Sequence, residues 1–218
     1  MTSNEAVGPV RRPGRPRDER ADRAIVDATL ELFAAEGYSA LSVESVASKA
    51  EVSKATIYRR WPGKRELILD ALATLNDDFP SLASGSTRER LLITMRHMAN
   101  RDSGSLAGRI MPRMMVYSVS QPDLYAEYFD RVIMPRRLYL QAVLREGIGN
   151  GELRADLDIE TATMSIVGPV LLQVHSLGRR PPSADLPERL MEILWPGLAA
   201  PGWEDAEKSE KPGQLNPQ

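Results

Sequence analysis

Cationic side chains are concentrated near the N-terminus, in a segment that contains no acid. Within residues 53–65 the cations are Lys54, Arg59, Arg60, Lys64 and Arg65. Ammonium and guanidinium groups donate hydrogen bonds to phosphate oxygens and, in the major groove, to the edges of bases. Residues 1–65 carry 12 Lys and Arg against 9 Asp and Glu, whereas residues 66–218 carry 16 against 21. This asymmetry predicts that the basic part binds nucleic acid and that the acidic remainder faces away from it.

The segment 42–60 has the pattern of two short helices joined by a tight turn. An apolar stripe at helical spacing predicts the first helix, and its residues are Val43, Val46, Ala47 and Ala50. Glu51 and Val52 form the predicted turn, and Ser53 is a favourable N-cap for a second helix from Lys54 to Arg60. So short a turn indicates a helix-turn-helix unit. An ordinary helical hairpin with a solvated basic face is the alternative.

The second helix is predicted to have one face that packs inward and one that stays open. At about 100° per residue, Ile57 and Trp61 share the inner face. The open face and its flanks are small, polar, aromatic and cationic, as a major-groove recognition helix requires. The candidate DNA contacts of this helix are Ser53, Lys54, Ala55, Thr56, Tyr58 and Arg59.

These residues resemble the DNA-binding domain of the TetR family of bacterial one-component repressors over about fifty residues, roughly 18–72. The pattern that carries the resemblance is Ser42-Val43-x-x-Val46-Ala47-x-x-Ala50-x-Val52-Ser53-x-x-Thr56-Ile57-Tyr58-x-x-Trp61-x-x-Lys64. It departs at Glu51, where the family usually has Gly; a left-handed backbone there costs a non-Gly residue about 1–2 kcal/mol. Trp61 replaces the more usual Phe. The resemblance implies that Ser42 and Lys64 contact the DNA backbone, although helix capping alone also explains Ser42.

A second basic segment, RRPGRPR at residues 11–17, precedes the predicted helices. Its prolines and glycine forbid helix and keep the backbone extended. The Gly14-Arg15-Pro16 core resembles an AT-hook, in which an extended Arg-Pro segment lies in a narrow minor groove. Arg12, Arg15 and Arg17 are therefore candidate minor-groove contacts. A solvated tail is the alternative.

An all-α fold is predicted, because helical periodicity recurs along the chain and no strand pattern is found. It consists of an N-terminal three-helix helix-turn-helix domain and a C-terminal helical domain for ligand binding and dimerisation. The predicted divisions are a basic disordered arm (1–17), the DNA-binding domain (18–62), a connecting helix (63–78), the effector and dimerisation domain (79–200) and a disordered tail (201–218). The further predicted helices are 18–37, 87–101, 106–120, 123–146 with a kink at Pro135, 158–177 and 185–198.

The last two predicted helices are more apolar than a solvated surface pair. In TetR-like proteins this pair forms a four-helix bundle with its mate, so the resemblance implies a homodimer. A two-fold dimer would hold two recognition helices one DNA turn apart, about 34–36 Å. The alternative is a monomeric bundle that keeps both helices in its own core.

The middle helices are expected to hold a pocket for a small-molecule effector, because Met and aromatic side chains build adaptable pockets. The candidates are His97, Met111, Met114, Met115, Tyr117, Tyr125, Tyr128 and Phe129. An ordinary core explains the same residues. Arg96, Arg109 and Arg113 are candidates to neutralise an acidic ligand, and a solvated face is their alternative.

Several classes of protein are not supported by the sequence. The chain has no Cys and only two His, and it lacks metalloprotease, nucleophile-elbow and phosphate-loop motifs, so no enzyme, metal site or cofactor is predicted. No apolar run approaches a membrane span, no signal peptide is found, and a cytoplasmic location is expected. The prediction is a ligand-responsive repressor of a palindromic operator on double-stranded DNA. A sequence-tolerant DNA-packaging protein and a helical-bundle enzyme are the alternatives.

Overall fold

The computed structural model describes residues 17–76, 85–100, 105–175 and 183–202, without the side chains of residues 17, 18, 174 and 175. Within these ranges the regular structure is helical, and the one extended pairing is an isolated antiparallel bridge that joins Leu153 to Ala199. The predicted all-α fold is therefore confirmed. Most of the basic arm, the last two residues of the predicted connecting helix and most of the C-terminal tail lie outside the described residues. The chain divides into two compact units, residues 1–68 and residues 69–218.

The first unit contains α1 (Arg17–Ala40), α2 (Val43–Lys49), α3 (Lys54–Tyr58) and the start of α4 (Lys64–Ala73). Helical geometry is interrupted in α1 at Gly37, whose φ of 82° is left-handed and suits a residue without Cβ. This is the residue at which the first helix was predicted to end. The core of the unit consists of Ile25, Ala28, Leu30, Phe33, Ala34, Leu41, Val43, Val46, Ala47, Ile57, Trp61, Leu67 and Ile68.

The second unit contains the end of α4, which closes with a 3₁₀ turn at Thr74–Asn76. Its remaining helices are α5 (Thr87–Ala99), α6 (Leu106–Ser120), α7 (Pro122–Tyr128), α8 (Met134–Gly149), α9 (Ile159–His175) and α10 (Leu186–Leu198). The predicted helix 106–120 is confirmed residue for residue. The other predicted helices of this unit are found with ends that differ by one or more residues.

The predicted helix 123–146 is found as an unbroken helical run over residues 122–149, but the interruption expected at Pro135 takes a form that was not predicted. Two α-helices, α7 and α8, are joined by a π-helical turn at Phe129–Ile133. Pro135 has no N–H to donate and its ring crowds the carbonyl of the preceding turn, so the ladder must change there. The Met134 N–H bonds to the Phe129 carbonyl, the i→i−5 pattern of a π-helix.

The core of the second unit is formed by α5, α8, α9 and α10. Its buried residues are Leu91, Met95, Ala99, Leu140, Val143, Leu144, Leu153, Ala162, Ile166, Val170, Met191, Trp195 and Leu198. The start of α5 is fixed against the end of α8, because the Thr87 N–H donates to the buried Glu152 carboxylate over 2.6 Å. A Cβ at Gly147 would lie 2.7 Å from the Thr87 side chain. The absence of a side chain at Gly147 therefore allows the two helices to approach this closely.

Candidate nucleic-acid interface and effector cavity

The turn between α2 and α3 is a Schellman motif built around Glu51. The Val52 N–H donates to the Ala47 carbonyl over 3.0 Å, and the Glu51 N–H donates to the Ser48 carbonyl over 3.3 Å. Glu51 has a φ of 55°, so it occupies the left-handed position that favours Gly. The predicted turn is confirmed, and the departure from the family pattern falls on the one residue of the turn whose backbone is left-handed.

Serine side chains start both helices of the motif. Ser42 Oγ accepts from the Ser45 N–H over 3.0 Å, and Ser45 Oγ accepts from the Ser42 N–H over 3.1 Å, which completes a capping box. Ser53 Oγ accepts from the Thr56 N–H over 3.2 Å. Both predicted caps are present, so these hydroxyls hold the first turns of α2 and α3 in place.

The two predicted faces of α3 are present in the structure. Ile57 is 1% exposed and Trp61 is 8% exposed, whereas the Tyr58 ring is half exposed. Thr56 is half-buried, and the remaining candidates of this element are exposed: Ser53, Lys54, Ala55 and Arg59. The helix ends at Tyr58 with Arg59 as its C-cap, two residues before the predicted end. A recognition helix of this length presents its exposed side chains from little more than one turn.

Lys54 forms an ion pair with an acid of the preceding helix. Lys54 Nζ lies 2.8 Å from Glu44 Oε1, and both side chains are exposed. The hydrogen bond from Lys54 lowers the pKa of the Glu44 carboxyl below its ordinary value, and the same bond raises the pKa of Lys54. The charge that α3 offers at this position is therefore partly compensated before DNA is bound.

Two more cations of the basic segment contact groups of α1. Lys64 Nζ donates to the Tyr38 carbonyl over 2.9 Å and lies 4.6 Å from the centre of the Tyr38 ring. Arg60 forms an ion pair with Asp22. These contacts link the start of α4 and the end of the motif to α1, so Lys64 and Arg60 help to hold the unit together.

The three arginines predicted to contact the minor groove lie at or before the start of α1. Arg12 and Arg15 lie outside the described residues, and the side chain of Arg17 does too. Arg17 is the first residue of α1, so the helix begins inside the predicted arm, one residue earlier than expected.

The second unit contains a cavity of about 260 Å³ between its helices. The cavity is lined by Thr94, His97, Met98, Ala107, Met111, Ile133, Arg136, Arg137, Leu140, Thr163, Met164, Val167, Gly168 and Leu171. Only His97 and Met111 come from the eight predicted pocket residues. The other six, Met114, Met115, Tyr117, Tyr125, Tyr128 and Phe129, do not line it.

Tertiary packing, and not helical period, decides which of these side chains reach the cavity. Ala107 and Met111 of α6 line it, and Met114, at the i+7 position from Ala107, shares their helix face without lining it. Met114 is buried instead in the core and Met115 is 53% exposed. Tyr128 is buried beside the cavity, where its hydroxyl contacts Met111 Sδ at 3.5 Å. The aromatic residues of α7 and the π turn thus support the wall without forming it.

Sequence reasoning missed the contribution of α9 to the cavity, and on α8 it pointed to Met134 and Leu138 where the lining residues are Arg136, Arg137 and Leu140. The α9 residues Thr163, Val167 and Leu171 recur every four residues, a signal that is visible in the sequence, although the apolar character of this helix points equally to dimerisation. The cations of the wall are Arg136 and Arg137, and neither Arg109 nor Arg113 lines it. Arg96 forms an ion pair with Glu188 at 2.6 Å.

Metal sites and membrane spans are both absent from the described ranges. No group of three or more His, Cys, Asp or Glu residues in them is arranged to hold a metal ion. None of the helices described is both long enough and apolar enough to cross a membrane.

Two family models match the chain. Residues 25–71 match the model of bacterial regulatory proteins of the tetR family, and residues 83–194 match the tetracyclin repressor-like C-terminal domain. The first match covers the motif and most of α4, and the second covers the helices that surround the cavity.

Similar proteins carry related names. The chain is 36% identical over 166 residues to the HTH-type transcriptional regulator YdeS of Bacillus subtilis. The matched region covers 76% of this chain and 83% of that protein. It is 33% identical over 150 residues to the DNA-binding transcriptional repressor TetR of Mycobacteroides abscessus, covering 65% of this chain and 75% of that protein.

Solved structures share the fold. The TetR family transcription regulator SCO0332 superimposes with a TM-score of 0.62 at 26% identity, covering 82% of this chain and 98% of that one. The regulator FadR of Bacillus subtilis, solved with stearoyl-CoA, gives a TM-score of 0.63 at 20% identity, covering 80% and 98%. The motif, the two family matches and these relatives agree: the chain belongs to the TetR family of bacterial transcriptional regulators and is a DNA-binding regulator of transcription.

Proposed function

We propose that the protein is a repressor that binds a palindromic operator as a homodimer in the cytoplasm and is released by a small molecule. The observation that carries this proposal is the exposed surface of α3. Its buried side is anchored by Ile57 and Trp61, so the opposite side is held in a fixed orientation. Arg59 lies on that side and Tyr58 on its flank, and Lys54 is exposed at the start of the helix; together they combine hydrogen-bond donors with an aromatic ring.

The DNA contacts divide by chemistry. Lys54, Thr56, Tyr58 and Arg59 supply the donors and the ring for base edges, and Ala55 leaves room for close approach. The backbone contacts are assigned to Ser42, Ser53 and Lys64, which lie at helix N-termini where phosphate is favoured. The arm, with Arg12, Arg15 and Arg17, follows the adjacent minor groove.

The homodimer is proposed to form through α9 and α10. Large apolar side chains on these helices are open to solvent in the single chain: Leu172 is 56% exposed and Ile193 is 75% exposed. Exposed apolar residues grouped on two neighbouring helices are typical of a buried interface. A two-fold axis through this pair would present two copies of α3 to two half-sites.

The effector is proposed to act from the cavity of the second unit. This cavity lies among α5, α6, α8 and α9, and α4 continues from the same unit into the DNA-binding unit. A ligand that prefers one orientation of α4 changes the separation of the two recognition helices, and the operator is released to the extent of that preference.

The proposal is tested by selection of DNA sequences that bind the full-length protein. Random-sequence duplexes are enriched on the protein, and the enriched pool is sequenced. A repressor of this kind enriches an inverted repeat whose half-sites lie about one helical turn apart. Arg59→Ala should enrich this repeat with the base preference relaxed at one position of each half-site, whereas Arg145→Ala, which removes an exposed cation of α8, should enrich the wild-type motif. Enrichment of no motif by the wild-type protein would favour the DNA-packaging alternative.

A further inference from the structure

The wall of the cavity is mostly apolar, and its polar side chains are two arginines, two threonines and His97. Its apolar side chains come from four helices and the π turn and include Met98, Met111, Ile133, Leu140, Val167 and Leu171. Two arginines, Arg136 and Arg137, line it, and among the described residues of the wall there is no Asp or Glu. A ligand that fills this space therefore meets positive charge, and no carboxylate from the described part of the wall.

The two threonine hydroxyls of the wall already donate hydrogen bonds to backbone carbonyls of the protein. Thr94 Oγ1 donates to the Arg90 carbonyl over 2.9 Å, and Thr163 Oγ1 donates to the Ile159 carbonyl over 2.7 Å. Donation to a ligand consequently depends on the arginines and on His97. The volume of about 260 Å³ lies near the lower end of the range for small-molecule pockets, roughly 300–1,000 Å³. A small apolar molecule with an anionic group fits this wall.

Arg136 connects the cavity to the connecting helix. Its Nε donates to Asn76 Oδ1 over 2.6 Å and its terminal nitrogen donates to the Leu75 carbonyl over 2.6 Å. Leu75 and Asn76 belong to the 3₁₀ turn that ends α4. The same side chain is thus part of the cavity wall and part of the contact that holds the end of α4. Arg137 differs, because it forms an ion pair with Glu160 of α9.

We infer that the effector is a small apolar carboxylate and that Arg136 recognises its carboxylate. This inference rests on the proposed function, since it names the class of ligand for the proposed effector cavity. A hydrogen bond from a guanidinium group to a carboxylate is stronger than one to a neutral amide or carbonyl oxygen. Ligand binding therefore draws Arg136 away from Leu75 and Asn76 and weakens the contact that fixes the end of α4. This difference between the two states is the coupling that release of DNA requires.

The charge preference is tested with three probes of equal chain length: octanoate, 1-octanol and octylamine. Calorimetry on the full-length protein without DNA should show that octanoate binds about 10-fold or more tightly than 1-octanol, with octylamine weakest. Arg136→Gln should remove most of this advantage of octanoate, whereas Arg145→Gln, on the exposed side of the same helix, should keep it. Equal binding of octanoate and 1-octanol by the wild-type protein would overturn the inference.

The competition between ligand and helix is tested at Asn76. Asn76→Asp offers Arg136 a carboxylate within the protein and should weaken octanoate binding about 3-fold or more. Asn76→Ala removes the competing acceptor and should strengthen it. Neither variant can form the Asn76 amide bond to the Arg131 carbonyl, so that loss is common to both, and they differ in whether position 76 offers Arg136 a charged acceptor. Thermal unfolding checks that both variants are folded. If they are, identical octanoate affinities would contradict the role of Arg136 as the link between the cavity and the end of α4.

Failure of the ligand inference can be distinguished from failure of the proposed function. If the wild-type protein binds octanoate with the expected preference but enriches no DNA sequence, the ligand inference stands and the proposed function fails. If it enriches an operator but binds octanoate no better than 1-octanol, the proposed function stands and the ligand inference fails.

Discussion

Glu44 Oε1 accepts a hydrogen bond from Lys54 Nζ at 2.8 Å, so an acid of α2 holds a cation of the recognition helix. A lysine that must contact DNA first has to leave this carboxylate or share its charge with it. The pair therefore opposes binding to phosphate in general and favours sites that give Lys54 a better acceptor. Because both side chains are exposed, the pair contributes little to folding.

Glu44→Gln should strengthen binding to DNA of unrelated sequence more than binding to the operator. The released Lys54 neutralises about one more phosphate, so the slope of log K against log salt should steepen by about 0.9. Fluorescence anisotropy over a series of salt concentrations measures both quantities. The control is Glu44→Gln in a Lys54→Ala background, where the slope should not change. If Glu44→Gln also steepens the salt slope in the Lys54→Ala background, the change comes from the loss of the Glu44 charge and not from the release of Lys54.

The ion pair can also be detected without DNA through the titration of Glu44. Its pKa is lowered by the bond from Lys54, so the carboxyl remains ionised as the pH falls through the ordinary range of a glutamate. The pair is lost only when the pH falls through the lowered pKa. Lys54→Ala should raise the pKa of Glu44 towards its ordinary value, which NMR titration of the labelled side chain measures. An unchanged pKa would show that the pair is not formed in solution.

Arg59→Ala should weaken binding to the operator by about 1–3 kcal/mol and relax the preference at one base pair of each half-site. The reason is that a guanidinium group reads a base edge with two directed hydrogen bonds. Affinity for operators with single substitutions, measured by competition, locates that base pair. A uniform decrease in affinity on all operators would instead make Arg59 a phosphate contact.

Glu51→Gly should stabilise the helix-turn-helix unit by about 0.5–1 kcal/mol. Relief of the left-handed strain at φ 55° outweighs the larger entropy of Gly in the unfolded chain. Glu51→Val should destabilise the same unit, because a β-branched residue is least tolerant of positive φ. Hydrogen exchange of the amides of α2 and α3 measures both variants. Equal exchange rates in the two variants would show that the turn is not strained.

Replacing Arg12 and Arg15 by Gln should lower operator affinity and reduce the salt slope by about 0.9 for each phosphate that is no longer neutralised. The preference within the half-sites read by α3 should be unchanged, because the substituted residues precede α1. Anisotropy at several salt concentrations checks this prediction. A salt slope equal to that of the wild type would mean that the arm does not touch DNA.

Ile193→Asp should convert the proposed dimer to monomer and lower operator affinity by at least about 10-fold. The side chain is 75% exposed in the single chain, so the substitution places a charge in the proposed interface without disturbing the core. Sedimentation velocity measures the oligomeric state, and Glu192→Gln, at the neighbouring exposed position, is the control. A dimer that survives Ile193→Asp would place the interface elsewhere.

The sequence was most informative where structure depends on neighbours in the chain. Ser42, Ser53 and Gly37 are capping or terminating residues whose role follows from residue type and position, and Ile57 and Trp61 follow from helical period. These features were predicted and are found in the structure. Local signals are therefore sufficient to predict the position of α3 and its buried face.

Features that depend on distant parts of the chain were not predicted. Arg136 and Asn76 are 60 residues apart, and no local pattern indicates that they meet. Residue type predicts a cavity lined by aromatic side chains. In the structure Tyr128 packs behind the wall, against Met111, and Arg136 is a wall residue. The π turn before Pro135 is a similar case, because proline predicts an interruption but not its form.

A hydroxyl-radical footprint of the full-length protein on the DNA upstream of its own gene tests the central claim most directly. A two-fold operator-binding repressor should give two symmetric protected patches, centred about 34–36 Å apart, with extra minor-groove protection where the arms lie. The patches should disappear together in the Ile193→Asp protein. Protection of a single patch, or uniform protection along the whole fragment, would contradict binding by a two-fold repressor.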